Sequence, residues 1–363
     1  MVKWRRGATT AGLILLGTFV ITAPFIMLAG ANPFTAYGEF LVSPLTSRYS
    51  ALEVLVSSIP LILTGVSVAL AFRAGYWNIG AEGQLLMGAV AGAGVGMLVS
   101  DQSRILVLPV VILAGAAAGA LWALVPALLR VKMGIDEVVT TLLLNPVALL
   151  IVTALLSGPW ADPETGFPES ERIAESAQFP ILVPRSRLHL GFLVGLAIAG
   201  LVWFVLSRTV AGLRVRAVGS GPKAARFAGI SVGRTLLTVA LTSGAIAGIA
   251  GASEVSGIQY RLTGGLSAGF GYTGIVVATL GALAMPTVVL AALLMADLNV
   301  GAGSAGRVLG VPSQLGDVIQ ATVLLVTVGV LAYRRYHHKA LKSEAEEAPG
   351  DGVVSEVEEV DSS

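Results

Sequence analysis

The chain has 363 residues, of which 55% are hydrophobic and only 12% charged, with a net charge of +1. That is about half the charge of an ordinary soluble protein, too little to clothe a globular domain of this size in water. The mean hydropathy of +0.83 and the absence of a basic face with interleaved aromatics point to lipid as the solvent and away from nucleic acid. Zero cysteines exclude disulfides, thiolate metal sites and cysteine nucleophiles. His189, His337 and His338 are the only histidines, so a histidine-based catalytic centre, or a metal site, has little to build from.

The basic start, Met1 to Arg6, leads into an apolar run over about 8–30. Ala29-Gly30-Ala31 offers a signal-type cleavage site, but the run exceeds the roughly 7–15 residues of a signal core and reads as an uncleaved first membrane helix. Further apolar runs follow at about 53–72, 83–100, 105–130, 138–157, 189–207, 236–257, 272–285, 287–300 and 315–333. A helical crossing needs about 20 residues. The two runs around Pro286 have about 14 each and read as half-helices or a re-entrant pair. The expected fold is thus an all-α integral membrane protein with about ten transmembrane segments, one pair of them short. The 44 glycines predict close helix packing.

Lys and Arg in short loops mark the cytoplasmic side. Lys3, Arg5 and Arg6 begin the chain, Arg130 and Lys132 follow the fourth run, six basic residues from Arg208 to Arg234 fill the next large basic loop, and Arg334 to Lys339 follow the last run. Ten crossings place all four clusters inside, with both termini cytoplasmic; nine do not. Residues 158–188 then form the largest external loop, rich in proline and acids (Asp162, Glu164, Glu169, Glu171, Glu175), either a docking surface or a solvated connector. Residues 1–340 read as the transmembrane domain, and the acidic tail 341–363 lacks the apolar content to fold.

Three stretches invite a functional reading. In the first, Arg73 to Gln84, the polar residues Asn78, Glu82 and Gln84 stand among three glycines at a break between apolar runs. Such groups in a bilayer must pair or face a cavity, so the stretch is either a cytoplasmic turn or an unwound segment on a translocation pathway. In the second, Asp136 caps and Glu137 suits a helix N-terminus, and Asn145 lies deeper, packed against neighbours or lining the same pathway. In the third, Pro222 starts and Gly229 ends a short helix with small residues Ala224 and Ala225 and basic flanks, a shape that fits another protein's groove. Gly75-Tyr76-x-x-Ile79 and Gly271-Tyr272-x-x-Ile275 echo one another and suggest an internal repeat. Gly301 to Gly306 matches G-x-G-x-x-G without the strand a dinucleotide site requires, and there is no G-x-x-x-x-G-K-[ST].

Together, Asn78-Ile79-Gly80-Ala81-Glu82-Gly83-Gln84, Asp136 to Asn145, Ala217 to Ile230 and Ser243 to Gly251 resemble the branched-chain amino acid, ribose and nucleoside class of ABC-transporter permeases, nearest to the nucleoside and simple-sugar subgroup. The resemblance implies a plasma (inner) membrane subunit with no catalytic residues and no cofactor of its own, ATP and Mg being bound by a partner ATP-binding subunit. It further implies a second permease subunit, identical or not, and an extracytoplasmic substrate-binding lipoprotein. Gly221, Pro222, Ala224, Ala225 and Gly229 would form the coupling helix seated in the ATPase; Gly221 stands where the family often has Asn, leaving the helix start without a side-chain cap. Against this stands an ion-coupled transporter using the intramembrane acids Glu82, Glu254 and Asp297.

Overall fold

In a bilayer each backbone N–H and C=O must be satisfied within its own segment, which helices achieve locally. The structure, a computed structural model describing residues 2–99, 102–164, 166–312 and 314–347, is built accordingly. Its described residues form helices and two isolated β-bridges, Glu169 with Thr263 and Ile181 with His189.

The chain opens with α1 (Val2–Leu28), which turns through 112° into α2 (Pro33–Leu41). Gly30 takes φ +82° at the turn, and Asn32 caps α2 by accepting from the Phe34 N–H, with Pro33 in the first helical turn. After the single turn α3 (Ser43–Thr46) come α4 (Arg48–Arg73), α5 (Ala81–Leu98), α6 (Arg104–Met133), α7 (Glu137–Leu156) and α8 (Gly191–Arg208). Two short helices, α9 (Val210–Ser220) and α10 (Pro222–Phe227), precede α11 (Val232–Gln259), α12 (Phe270–Leu280), α13 (Met285–Leu309) and α14 (Leu315–Glu347). The last turns of α6 and of α11 widen to π geometry. Seven of these helices are long and apolar enough to cross a membrane. The bent α1–α2 pair, α12 and the apolar part of α14 bring the apolar segments to about ten.

The short pair differs from its sequence expectation. Only α12 is short, at 11 residues; α13 has 25. Pro286 does not divide them, because it lies in the first turn of α13, where a missing N–H costs no hydrogen bond. The break falls at 281–284, where Ala282 and Leu283 adopt φ +48° and +59°, conformations that end a helix. Helix α14 runs on past position 341 into the acidic segment. Ala, Leu, Lys and Glu are good helix formers and carry α14 to Glu347; residues 348–363 lie outside the described residues.

The helix ends sort by charge. Arg73, the 129–137 segment and α9 share one end: Arg130 pairs with Glu137 at 3.0 Å, Glu137 accepts from the Trp77 N–H, and a Cβ on Gly219 would strike the Arg73 carbonyl. The acidic 158–190 segment lies at the opposite end. It is held by backbone bonds from Ser170 to Leu262, Ile173 to Tyr260 and Phe179 to Ser256, and by Arg261, which pairs with Glu169.

Between the ends, α5, α6 and α11 touch through glycine. A Cβ on Gly88 would overlap the backbone of Gly248, one on Gly119 the carbonyl of Gly244, and one on Gly251 the carbonyl of Leu85. Close backbone approach of this kind substitutes van der Waals contact for the hydrophobic effect that lipid abolishes between helices.

Candidate functional site

The unwound stretch is built by Gly75, whose φ of +74° turns the chain back after α4 so that residues 75–80 precede α5 without helical bonding. The first N–H groups of a helix have no partner within it, and here side chains supply them. Asn78 Oδ1 accepts from the Gly80 N–H at 3.0 Å, Thr141 Oγ1 from the Ile79 N–H at 3.2 Å and Asn145 Oδ1 from the Gly83 N–H at 2.9 Å. Asn78 and Gln84 pair amide to amide at 2.9 and 3.0 Å, and Asn78 Nδ2 also donates to Ser243 Oγ. Asn145 Nδ2 donates to the Ile79 carbonyl and to Tyr272 Oη. Glu82 Oε2 accepts from the Gly271 N–H at 2.7 Å.

Asn78, Glu82, Gln84 and Asn145 are thus brought to one place, joining α5, α7, α11 and α12, and all four are buried. The two Gly-Tyr-x-x-Ile segments meet there, through Gly271 and Tyr272. Glu82 is held by the Gly271 backbone and pairs with no cation among the described residues. These polar groups are satisfied by one another, and none of the four lines the polar cavity described next. In this conformation they hold the starts of α5 and α12 together.

That cavity, of about 340 Å³, opens among α4, the end of α11, the approach to α12, α13 and the start of α14. Arg187, Glu254, Asn299, Asp317 and Gln320 contribute its polar wall. Gln320 Nε2 donates to Asn299 Oδ1, and Arg187 forks onto the buried carboxylate of Glu53 from the acidic end of the bundle. The neighbouring carboxylate holds the Arg187 guanidinium above its ordinary pKa, firmly charged. Sequence reading weighed Glu254 as an ion site but missed Asn299, Asp317 and Gln320. The available signal was an isolated amide in each of two apolar runs, since such groups inside a membrane mark sites.

Beside the cavity, His189 is buried. Its Nδ1 accepts from the Gly191 N–H at 3.2 Å, which puts its proton on Nε2. Burial pushes this imidazole down to about 4.

At the basic end, α10 follows the sequence expectation closely. Pro222 opens it and Gly221 caps it without a side chain. Gly229 takes φ +77°, and the Gly229 and Ile230 N–H groups close the last turn on Arg226 and Ala225 carbonyls, a Schellman ending. Pro222, Ala224 and Gly229 are exposed, whereas Ala225 faces inward and is buried. Phe227, not singled out from the sequence, is 95% exposed at the tip.

A long helical bundle with a glycine-packed seam, a polar cavity and a short helix projecting at its basic end defines a membrane transport subunit. Residues 50–328 match the family described as the permease component of branched-chain amino acid transport systems, and the chain belongs to that family. It is 38% identical to the glucose ABC transporter permease protein TsgB13 of Haloferax volcanii, covering 95% of this chain and 93% of the relative. It is 36% identical to the guanosine ABC transporter permease protein NupP of Bacillus subtilis, over 88% and 92%, and 30% identical to the nucleoside ABC transporter permease protein NupB of Lactococcus lactis, over 84% and 86%. No solved structure matches the chain.

Proposed function

We propose that this chain is one permease half of an ABC importer for nucleosides or related sugars, driven by ATP that a separate subunit binds with Mg and hydrolyses. The observation that carries the substrate class is the near end-to-end likeness to permeases named for guanosine, nucleosides and glucose. The coupling role falls to Gly221, Pro222, Ala224, Ala225 and Gly229, which build α10, with Phe227 as its exposed tip. A large apolar ring at a basic, otherwise polar surface has no lipid to meet there and suits a groove on an ATP-binding subunit. A second permease, the same chain or a different one, completes the pore, and an extracytoplasmic lipoprotein delivers solute at the end carrying the 158–190 segment. Both termini lie in the cytoplasm, following the basic clusters.

Transport in this reading is alternating access. Closure of the ATPase dimer displaces α10, and the displacement passes through α9 to Arg73 and the unwound stretch, where Asn78, Glu82, Gln84 and Asn145 tie the starts of α5 and α12 beside the pathway. The chain moves solute and does no bond chemistry. Purification from the native membrane in gentle detergent tests the assignment: an ATP-binding subunit should accompany the chain, and the complex should take up guanosine or glucose in liposomes on addition of ATP. A solitary chain whose uptake follows an ion gradient would refute it.

A further inference from the structure

Glu254 and Asp297 are the two buried acids among the described residues that no donor meets, and of the two only Glu254 lines the polar cavity. Glu53 is met by Arg187, Glu82 by the Gly271 N–H, Glu137 by Arg130 and the Trp77 N–H. Glu254 is 6% exposed, lines the polar cavity, and receives no hydrogen bond from the described residues; Arg187, the nearest cation, is already committed to Glu53. A buried carboxylate lacking a protein donor is costly, and the missing donors must come from whatever fills the cavity. Across the space stand Asn299 and Gln320, bonded to each other yet retaining free amide capacity, since each amide has four hydrogen-bonding positions. Asp317 adds a second carboxylate at the rim.

We infer that this cavity is the solute's binding station on the extracytoplasmic side of the half-pore, and that Glu254 accepts a pair of hydroxyl groups from a neutral, polyhydroxylated ring. The inference rests on the importer reading and narrows its substrate. Two carboxylates with no uncommitted cation repel anions, so phosphorylated sugars, nucleotides and free carboxylates are excluded, while a sugar or the ribose of a nucleoside supplies the two donors that a carboxylate takes side by side. A cavity of about 340 Å³ accommodates one such ring system.

The cysteine-free chain allows a test that does not need the solute in advance. In the complete transporter, in right-side-out vesicles, Gln320→Cys and, as a second variant, Asp317→Cys are exposed to a membrane-impermeant methanethiosulfonate. Ser58→Cys serves as a packed control, the serine being fully buried in α4 and bonded only to the Leu55 carbonyl of its own helix. Cavity cysteines should react from the outside at least tenfold faster than the control. Guanosine, adenosine, ribose or glucose should slow the reaction, guanosine monophosphate or glucose 6-phosphate should not, and Glu254→Gln should abolish the protection. In uptake by the cysteine-free protein, Glu254→Gln should raise KM about tenfold, the loss of one charge-assisted bond, with a smaller change in kcat. It should also erase the preference for guanosine over 2′,3′-dideoxyguanosine, or for glucose over 2-deoxyglucose, which a merely structural defect would leave in place. Inert cysteines in both variants, protection by none of the neutral compounds, or protection by the phosphorylated ones overturns the cavity assignment. ATP-driven uptake persisting alongside any of those results would leave the importer reading standing, whereas absence of an ATP-binding partner would remove that reading while the labelling result still stood.

Discussion

Along the seam of α5, α6 and α11, Gly88, Gly115, Gly119, Gly244, Gly248 and Gly251 bring backbones into direct contact. On the other side of the bundle, α12, α13 and α14 border both the polar cavity and an apolar one of about 470 Å³ that also reaches α1 and α2. The seam leaves no room for a methyl group at any of these positions; the other side, as tight at Gly271, Gly274 and Gly301, also holds two voids, an 11-residue helix and a break with two residues in the left-handed region. Close-packed elements move as units, while gaps and breaks are where packed layers slide. The difference fits a seam that serves as a frame and an α12–α14 side with more room to move.

Substitutions within the seam should have the largest effect. Gly248→Val would force a side chain against the Gly115 carbonyl and the Gly119 backbone. It should cost ~3 kcal/mol or more, as severe overpacking does, and show as loss of monodisperse protein on size exclusion. Gly303→Ala on α13, where a Cβ meets only the end of Arg307 at 3.5 Å, should melt within a degree or two of the wild type. Equal tolerance at both positions would erase the contrast.

Next come the polar ties between the regions. Asn145→Leu leaves the Gly83 N–H, the Ile79 carbonyl and Tyr272 Oη without their partner and should destabilise by about 2–4 kcal/mol, measured by thermal melting in detergent. A change below 0.5 kcal/mol would mean that the network is not what holds α5, α7 and α12.

His189 gives a pH dependence of similar size. Its folded pKa of about 4 lies below the ordinary value of about 6.5, so the unfolded chain takes up a proton first as pH falls. Stability should be full above pH 6.5 and decline between about 6.5 and 4, by ~3 kcal/mol in total. His189→Gln should flatten the melting temperature across that window; an unchanged slope would show that another group titrates there.

Smallest in stability is Phe227→Ala, exposed and unpacked, expected within about 0.5 kcal/mol of wild type although it should sharply reduce ATP-driven uptake. Ala224→Asp should behave likewise. Ala225→Asp buries a charge and combines misfolding with uncoupling, which makes it the poorer probe of the ATPase contact.

Much of this was legible in the sequence where the signal is local. Hydrophobic run lengths marked the segments, and Pro222 and Gly229 bracketed α10 because each suits one end of a helix. The polar stretch at 73–84 was visible, but not that its amides would be spent on one another. That outcome depends on Ser243 and Asn145, which are far away in the chain. The same limit hid the cavity: Arg187, Glu254, Asn299 and Gln320 come from four segments, and no periodicity relates them. The break before α13 escaped because Ala282 and Leu283 carry no turn signature, whereas the nearby Pro286 does.

The most direct test of the account uses the absence of native cysteine. Phe227→Cys, cross-linked in native membranes with a short thiol-to-amine reagent, should capture an ATP-binding subunit, with Leu213→Cys on α9 as an exposed control that captures less. Capture of that subunit through position 227 is the predicted result. A position 227 that captures no ATP-binding protein, in membranes where the chain still transports, would contradict the coupling assignment at its centre.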